Sequence, residues 1–481
     1  MTTDKASVTR TIINTLICKR RNKNSNADTH AYTNLGNINN SRKLLHQFSK
    51  KSFQKSFKNL SFRKRKHENE SIEEILLKQD HNDTDTERRQ ALYQQITEKH
   101  ATYAVAVIFI LSIDQREKYT SDQLFDHQNS VEELDPYEKL HILQDIRKAL
   151  KTHVYNNNFR HIKHDDERIF VICDDPIAAM KGMLHAQKVI SAIQTNSITV
   201  RLRAGCGYGN LFELSNDYFG DPVNIASKLA EDIDETGQLF VSFGGKEEQL
   251  KYVTSFHDAI FTPKSVHISG VDIEFYLMEA KPSIQDSLKE KERRSLIPLK
   301  SKNNSHGAKV TAQWQDITML QSDLSGFTRL TKKYGILHFL TLILHCRRIF
   351  HQNIHSSADG QVFKYDGDNI ICKFQSSKNA IEYLTQVRKD LDSYNAYKEK
   401  DFQIRVKFGL SQGKVLVSNA GDIVGESWEE CCALAEDTAK VGEILMTEEV
   451  KHELEHGTSL ACAFEVRSET SDVPQHYNLT I

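Results

Sequence analysis

The feature that most constrains the fold is an internal duplication, because one order of predicted strands and helices occurs twice along the 481 residues. The first copy consists of a strand at 104–110, helical stretches up to residue 150, a hairpin at 162–173, a helix at 177–193 and two strands at 200–208 and 239–241. The second copy consists of a strand at 317–321, a long helix at 326–354, a hairpin at 362–374, a helix at 377–392 and two strands at 404–409 and 444–446. Strands that alternate with helices around a central hairpin predict an α/β fold class, specifically an α+β sandwich of ferredoxin-like type, in two copies.

The regions between and before the two copies have a different composition. Residues 1–67 are rich in Asn, Ser and Lys and are predicted to be a disordered basic tail. Residues 68–100 are polar and predicted to be a helical lead-in. Domain one is then expected at 101–282, a charged linker at 283–308 and domain two at 309–480.

The tail contains a segment, residues 42–66, with ten basic residues, no acid and interleaved phenylalanines. This pattern fits a basic amphipathic helix that binds an anionic membrane surface or a calmodulin-like partner. A solvated basic tail is the alternative interpretation. The longest apolar run, 103–113, is too short to cross a bilayer, so no transmembrane segment is expected. Eight scattered cysteines indicate a reduced, cytoplasmic compartment, and the net charge of −2 gives no indication of nucleic-acid binding.

In domain two, an apolar strand leads into Asp323, followed by Ser325, Gly326, Phe327 and Thr328. A carboxylate at a strand end can hold a divalent cation, and the amides of the following turn can face an anion. A simple helix-capping aspartate is the alternative interpretation.

A hairpin with the sequence Lys-Tyr-Asp-Gly-Asp follows at 364–368. An Asp-Gly pair between apolar strands is first of all a hairpin turn. Such a tip would also present Asp368 beside the first strand, where Asp323 ends. Two aspartates on adjacent strands could share two metal ions of the kind that assist phosphoryl-type displacements.

In domain one, the corresponding stretch runs from Asp217 to Leu229, after a glycine-rich strand at 203–209. The glycines would let a backbone approach a ligand closely. Asn224 and Lys228 lie one helical turn apart on one face and could grip a polyphosphate. A capped helix with an outward lysine is the alternative interpretation.

These elements together resemble the class III nucleotidyl cyclases, over about 350 residues of the chain. Residues 220–229 resemble the family's G-[DN]-x-V-N-x-A-S-R-[LM] element, 323–328 its D-[IL]-x-G-F-T element and 364–368 its K-x-x-G-D hairpin. Tandem domains without a membrane span look most like the soluble adenylyl cyclases. The resemblance implies two domains that face each other as an intramolecular pseudo-heterodimer, with ATP as substrate.

The resemblance assigns roles by position. Asp323 and Asp368 match the aspartates that bind two Mg²⁺ or Mn²⁺ ions. Lys163 and Asp217 match the pair that reads adenine, which favours ATP over GTP.

Three further roles concern the ribose and the phosphates. Asn224 matches the ribose-orienting asparagine and Lys228 the residue that steadies the phosphates in the transition state. Lys407 and the turn amides of Ser325, Gly326, Phe327 and Thr328 match phosphate contacts.

The domains have complementary losses in this alignment. In domain one, Leu111 and Glu167 occupy the two metal positions. In domain two, Glu429 and Ala433 occupy the asparagine and phosphate positions. One composite site is therefore expected, with domain one as the base and transition-state half and domain two as the metal half, and its twin is expected to be inactive.

The predicted function is therefore an adenylate cyclase that forms cyclic AMP and pyrophosphate, located in the cytoplasm, with a cilium or flagellum suggested by the resemblance alone. A non-catalytic nucleotide sensor or scaffold is the alternative, because Lys228 stands where the family has arginine and Ser269 where it has a phosphate-binding lysine. Guanylate cyclase activity is disfavoured by Lys163 and Asp217.

Overall fold

The computed structural model describes residues 70–78, 86–115, 134–155, 158–165, 167–193, 198–233, 237–268, 270–282, 311–357, 359–457, 463–467 and 475–480. The basic segment 42–66, the linker and Ser269 lie outside these ranges. No helix of the described part is long and apolar enough to cross a membrane.

The N-terminal half, residues 102–280, forms one mixed sheet with helices packed on it. Within residues 70–78 and 86–100, which the structure describes, the chain forms α1 (Ile72–Leu77) and α2 (Thr86–His100) before this sheet. Its elements are β1 (Thr102–Gln115), α3 (Pro136–His153), β2 (Phe159–Asp165), β3 (Arg168–Cys173), α4 (Pro176–Ala192), β4 (Ile198–Leu214), β5 (Asp217–Phe219), α5 (Asp221–Glu231), β6 (Leu239–Ser242), α6 (Lys246–Ser255), β7 (Ala259–Ile268) and β8 (Val271–Ala280).

The C-terminal half, residues 312–480, repeats this arrangement. Its elements are β9 (Ala312–Leu324), α7 (Phe327–Tyr334), α8 (Ile336–Ile354), β10 (Gln361–Asp366), β11 (Asn369–Phe374), α9 (Ser377–Asn395), a 3₁₀ turn (Lys400–Phe402), β12 (Val406–Ser418), β13 (Ile423–Val424), α10 (Glu426–Ala433), a π-helical turn (Leu434–Thr438), β14 (Ile444–Met446), α11 (Glu448–Gly457), β15 (Ala463–Arg467) and β16 (His476–Thr480).

The two sheets have the same strand order. It is β2-β3-β1-β4-β6-β8-β7 in the first and β10-β11-β9-β12-β14-β16-β15 in the second, with β5 and β13 as short partners of β4 and β12. Both combine antiparallel pairs with one parallel pair, β4 with β6 and β12 with β14. The predicted α+β class and the duplication are therefore confirmed.

The long helix predicted at 326–354 is wrong in one respect, because two helices occupy this range. Gly335 separates them and has a φ of 86°, a conformation that L side chains rarely adopt. Gly335 thus serves as the C-cap of α7 and lets the chain turn into α8. The break leaves α7 as a short helix directly after the Asp323 strand end.

Apolar residues of both halves meet in a shared core. The largest cluster is built on the C-terminal half around Phe339 and Phe350 and includes Phe212 and Phe219 from the N-terminal half. A smaller cluster joins Leu140 of α3 to Leu416 and Val424. Burial of this surface favours the face-to-face arrangement that brings β2–β3 and β10–β11 together.

Candidate functional site

A cavity of about 580 Å³ lies between the two halves, and residues of both halves line it. Six of the residues singled out from the sequence are among those lining it: Lys163, Asp217, Asn224, Asp323, Phe327 and Asp368. Ser325, Gly326, Thr328, Lys228 and Lys407 are not among its lining residues. The structure thus brings together the predicted cation-binding aspartates and the predicted base-reading pair.

The two aspartates come from neighbouring strands, as the sequence predicts. Asp323 is near the end of β9, and β11 begins at Asn369, directly after Asp368. Ile370 pairs with Ser322, which brings the hairpin tip beside Asp323. Burial, and then the Asp323 carboxylate, raise the pKa of Asp368 to about 7. Two crowded carboxylates of this kind repel each other and offer a favourable environment for a cation.

Lys407 lies on β12 directly opposite Asp323. Its Nζ is 2.5 Å from Asp323 Oδ2 and donates to the Glu436 carbonyl oxygen at 2.6 Å. The predicted phosphate-binding lysine is therefore paired with a predicted metal ligand.

The turn after Asp323 does not present every amide to the cavity. The Ser325 amide donates to the Arg405 carbonyl oxygen at 2.8 Å. The expectation that this amide faces an anion is therefore wrong, because the amide is already bonded to the residue that precedes β12. Gly326 has a φ of 97° and precedes α7, which begins at Phe327.

A third carboxylate, that of Glu436, lies near this pair. Its Oε1 accepts from Gln321 Nε2 at 2.5 Å and from Asn369 Nδ2 at 2.7 Å. Burial raises the pKa of Glu436 to about 7, against the lowering effect of Arg168. Glu436 sits in the π-helical turn, and such turns are frequent at functional sites. Sequence reasoning missed it because nothing in the residue pattern marks a π turn.

The donor set suits Mg²⁺ or Mn²⁺, since oxygen ligands are those that these hard cations prefer. Asp323 and Asp368 supply two carboxylates. Among the described residues, no group of three or more His, Cys, Asp or Glu side chains is placed so that it could hold a metal ion. A cation here would therefore take its remaining ligands from elsewhere, as Mg²⁺ does with water and substrate phosphates.

The two residues of the predicted base-reading pair contact each other. Lys163 Nζ lies 2.8 Å from Asp217 Oδ2, and Asp217 is 6% exposed. Asp217 Oδ1 accepts from the Tyr218 amide at 2.9 Å, which fixes the carboxylate. Burial lowers the pKa of Lys163, and the Asp366 and Asp217 carboxylates more than reverse this, so its pKa is raised overall.

Helix α5 carries Asn224 into the cavity, but Lys228 turns elsewhere. Lys228 Nζ is 4.0 Å from Asp232 Oδ2, one turn further along. The helix lies on β4 at Gly205, where an added Cβ would be 2.3 Å from the Ala226 carbonyl oxygen. At Gly207 it would be 2.3 Å from the Pro222 carbonyl oxygen. The expectation that these glycines admit a ligand is therefore wrong, since they admit the helix.

The twin site, which is formed by the equivalent positions of the opposite halves, has different residues. Strand register pairs Ile110 with Arg203, and Asp323 with Lys407, so Ile110 rather than Leu111 takes the first metal position. Leu111 is fully buried in the core. Either residue is apolar, so the N-terminal half has no carboxylate at this place.

An arginine and an aspartate dominate the twin site. Asp422 precedes β13 as Asp217 begins β5, and it is fully buried. Arg147 of α3 grips it with two contacts of 2.9 Å, and Ser418 Oγ donates to it at 3.1 Å. Burial and Arg147 lower the pKa of the adjacent His164 to about 4. The carboxylate of Asp422, which corresponds to that of Asp217, is thus already paired with an arginine of the other half.

Comparisons with known proteins give the following matches. No protein-family model matches the chain. A pH-sensitive adenylate cyclase (MT1302) of Mycobacterium tuberculosis is 32% identical over 68 residues, which are 14% of this chain and 16% of that protein. The match therefore spans about a sixth of that relative.

Solved structures with a similar fold include a class III adenylyl cyclase-like ATP-binding protein from Pseudomonas aeruginosa, at 13% identity, covering 73% of this chain and 85% of that one, with a TM-score of 0.46. The adenylyl cyclase CyaB from P. aeruginosa is 17% identical, covering 36% and 97%, with a TM-score of 0.29. An adenylate/guanylate cyclase/hydrolase from Silicibacter pomeroyi is 16% identical, covering 35% and 96%, with a TM-score of 0.31. The proteins to which this chain is similar are thus described as adenylate cyclases, as an adenylate/guanylate cyclase/hydrolase or as cyclase-like.

Proposed function

We propose that this chain is an adenylate cyclase, which converts ATP to cyclic AMP and pyrophosphate in one site between its halves. The observation that carries the proposal is the shared cavity, in which Asp323 and Asp368 of one half face Lys163, Asp217 and Asn224 of the other. Neither half supplies all of these groups, so the site requires both.

Base recognition follows from the Lys163–Asp217 pair. The ammonium can donate to an unprotonated purine ring nitrogen, and the carboxylate can accept from an exocyclic amino group. Adenine offers both features, whereas guanine has a carbonyl oxygen in place of that amino group. Since Asp217 is buried, guanine would place its carbonyl oxygen against a buried carboxylate, so that two acceptors would face each other without a hydrogen bond, which is costly.

The ribose and phosphates would lie between Asn224 and the β9 strand end. The Asn224 amide can donate to or accept from a ribose oxygen and so hold the 3′ hydroxyl near the α-phosphorus. Asp323 and Asp368 would hold Mg²⁺ or Mn²⁺, which supplies charge neutralisation for the phosphoryl oxygens and the departing pyrophosphate. Lys407 and Lys228 would contribute positive charge once released from Asp323 and Asp232.

A second candidate is an ATP-binding protein without turnover. Two observations favour this candidate: Lys228 Nζ lies 4.0 Å from Asp232, and Lys228 is not among the residues that line the cavity. A lysine also lacks the two-pronged grip of arginine on phosphate. Such a protein would bind the base through the base-reading pair but would not carry out the cyclisation step, which needs Lys228.

The test is the formation of cyclic AMP by the purified full chain with ATP and Mg²⁺ or Mn²⁺. Wild type should turn over, and Asp323→Ala should abolish product. Glu167→Ala is the matched control, because Glu167 is the counterpart of Asp368 in the twin site, and it should keep most of the activity. Binding of ATP without product in wild type would favour the second candidate.

A further inference from the structure

A short Lys-x-Asp sequence occupies the same place in the hairpin of each half. Lys163 and Asp165 lie in β2, and Lys364 and Asp366 lie in β10. Both strands have a register irregularity directly before the lysine, and both aspartates close the last pair before the turn. The two sequences are therefore structurally equivalent.

The ion pairs that these residues form are reciprocal. Lys163 Nζ of the N-terminal half lies 2.7 Å from Asp366 Oδ1 of the C-terminal half. Lys364 Nζ of the C-terminal half pairs in turn with Asp165 of the N-terminal half. Each lysine thus binds the aspartate of the opposite hairpin, as in an isologous contact between two related subunits.

The two pairs differ in what else the lysine contacts. Lys163 also binds Asp217 at 2.8 Å, so one ammonium is held by carboxylates from both halves. Lys364 instead lies 5.7 Å from the centre of the Trp428 ring. The carboxylate that corresponds to Asp217, Asp422, is bound by Arg147. Only the first pair is connected to a base-reading carboxylate.

The geometry around Lys163 leaves room for a ligand. Its ammonium has three N–H donors, and the two carboxylates account for two of them. The side chains of Asp217 and Asp366 are 9% and 12% exposed, and that of Lys163 is 31% exposed. The ammonium is therefore held by both carboxylates, and the lysine side chain is partly exposed and lines the cavity.

Asp366 is itself firmly held. Arg168 pairs with one of its carboxylate oxygens and Lys163 with the other. The next residue, Gly367, donates its amide to Asp217 Oδ2 at 3.4 Å, and Arg347 donates to its carbonyl oxygen at 2.7 Å. The hairpin tip is thus anchored to both members of the base-reading pair.

We propose that Asp366 is a positioning residue for purine selection, which holds the Lys163 ammonium against Asp217 so that its remaining N–H meets the ring nitrogen N1. This inference rests on the proposed function and adds a residue from the opposite half to base recognition. N1 of adenine is an acceptor, whereas N1 of a 6-oxopurine carries a hydrogen. An ammonium fixed at this point accepts adenine and rejects hypoxanthine or guanine.

The test compares Asp366→Asn with Asp165→Asn in the full chain. Both substitutions neutralise one carboxylate of a reciprocal ion pair, and only the first touches the lysine of the base-reading pair. The readout is equilibrium binding of 3′-deoxy-ATP and 3′-deoxy-ITP with Mn²⁺, since neither analogue can cyclise. Thermal unfolding of both variants reports the common loss of an ion pair.

We expect the preference of Asp366→Asn for the adenine analogue to fall about tenfold, as the positioning of one charged donor is lost. Asp165→Asn should keep the wild-type preference, and Asp366→Glu, which keeps the charge, should recover part of it. If Asp366→Asn does not fold, Asp366→Ser replaces it with the same expectation.

An unchanged preference in a folded Asp366 variant, or the same fall in Asp165→Asn, would overturn the inference. Wild type that binds neither analogue would instead refute the proposed function.

Discussion

Asn224 is the residue whose role can be tested with the best internal control. It lines the cavity from α5, and Glu429 takes its place in α10. We expect Asn224→Ala to lower kcat/KM for ATP about 10²-fold, because a pre-positioned polar contact is lost. Glu429→Ala should change kcat/KM little. A similar loss in both variants would argue against a ribose contact by Asn224.

Lys228 gives a second prediction, which separates catalysis from binding. Its pairing with Asp232 means that it must move before it reaches a phosphate. Lys228→Ala should lower kcat about tenfold or more and leave ATP binding nearly unchanged, since its contact would form only in the transition state. Lys228→Arg should raise kcat above wild type, because a guanidinium grips phosphate with two donors. Steady-state kinetics with direct binding measurements decide this, and a loss confined to KM would contradict it.

Candidate site residues could be predicted from the sequence wherever the residue type itself implies a specific chemical role. Lys163, Asp217, Asn224, Asp323 and Asp368 were singled out by charge, spacing and resemblance, and all of them line one cavity. The contacts across the interface were not predictable in this way.

Asp366 illustrates why. It looks like an ordinary turn residue until the opposite hairpin is placed beside it. The recurrence of Lys-x-Asp in both hairpins was the available signal for the reciprocal pairing.

The packing of α5 on β4 is the element on which the position of Asn224 depends. At Gly205, an added Cβ would meet the Ala226 carbonyl oxygen at 2.3 Å and the Ala230 amide nitrogen at 2.8 Å. Backbone atoms cannot rotate away, so Gly205→Ala must push the helix outward.

We expect Gly205→Ala to lower the free energy of unfolding by ~1–3 kcal/mol and to reduce activity further than stability alone explains. Gly413→Ala is the control, because the Cβ there would meet the Ser427 hydroxyl at 2.2 Å, the end of a side chain that can rotate. Urea unfolding and cyclase assays on both variants test this. Equal effects would show that the helix position does not matter.

The elements themselves were predicted better than their breaks. The order of the elements in both halves could be predicted from apolar strands that alternate with amphipathic helices, because the period of the hydrophobic residues reflects which face is buried. The break at Gly335 was missed because an isolated glycine inside a helical pattern is often tolerated. The shift from Leu111 to Ile110 has a similar origin, because strand register depends on the partner strand and not on the strand's own residues.

For the whole molecule, the buried Arg147–Asp422 pair should fix how the two halves meet. Breaking such a pair leaves one uncompensated charge in the interior. We expect Arg147→Met or Asp422→Leu alone to lower the free energy of unfolding by ~3–5 kcal/mol, and the double substitution to recover much of that loss. A double-mutant cycle by denaturant unfolding measures the coupling. Additive losses would contradict a direct interaction.

In the whole molecule, the two structurally equivalent places differ in their residues. Asp217 faces the cavity beside Lys163, whereas Asp422 is gripped by Arg147 and closed off. The first metal position of the N-terminal half is apolar. The duplication therefore yields two structurally equivalent places, and under the proposed function only the one with Asp323 and Asp368 opposite Lys163 and Asp217 would bind a nucleotide.

The proposal that the two halves build one nucleotide site together can be tested by the stoichiometry of 3′-deoxy-ATP binding to the full chain, measured calorimetrically with Mn²⁺. We expect one site per chain, lost in Asp217→Ala of the N-terminal half and equally in Asp323→Ala of the C-terminal half. Two sites per chain, or one site that survives either substitution, would contradict it.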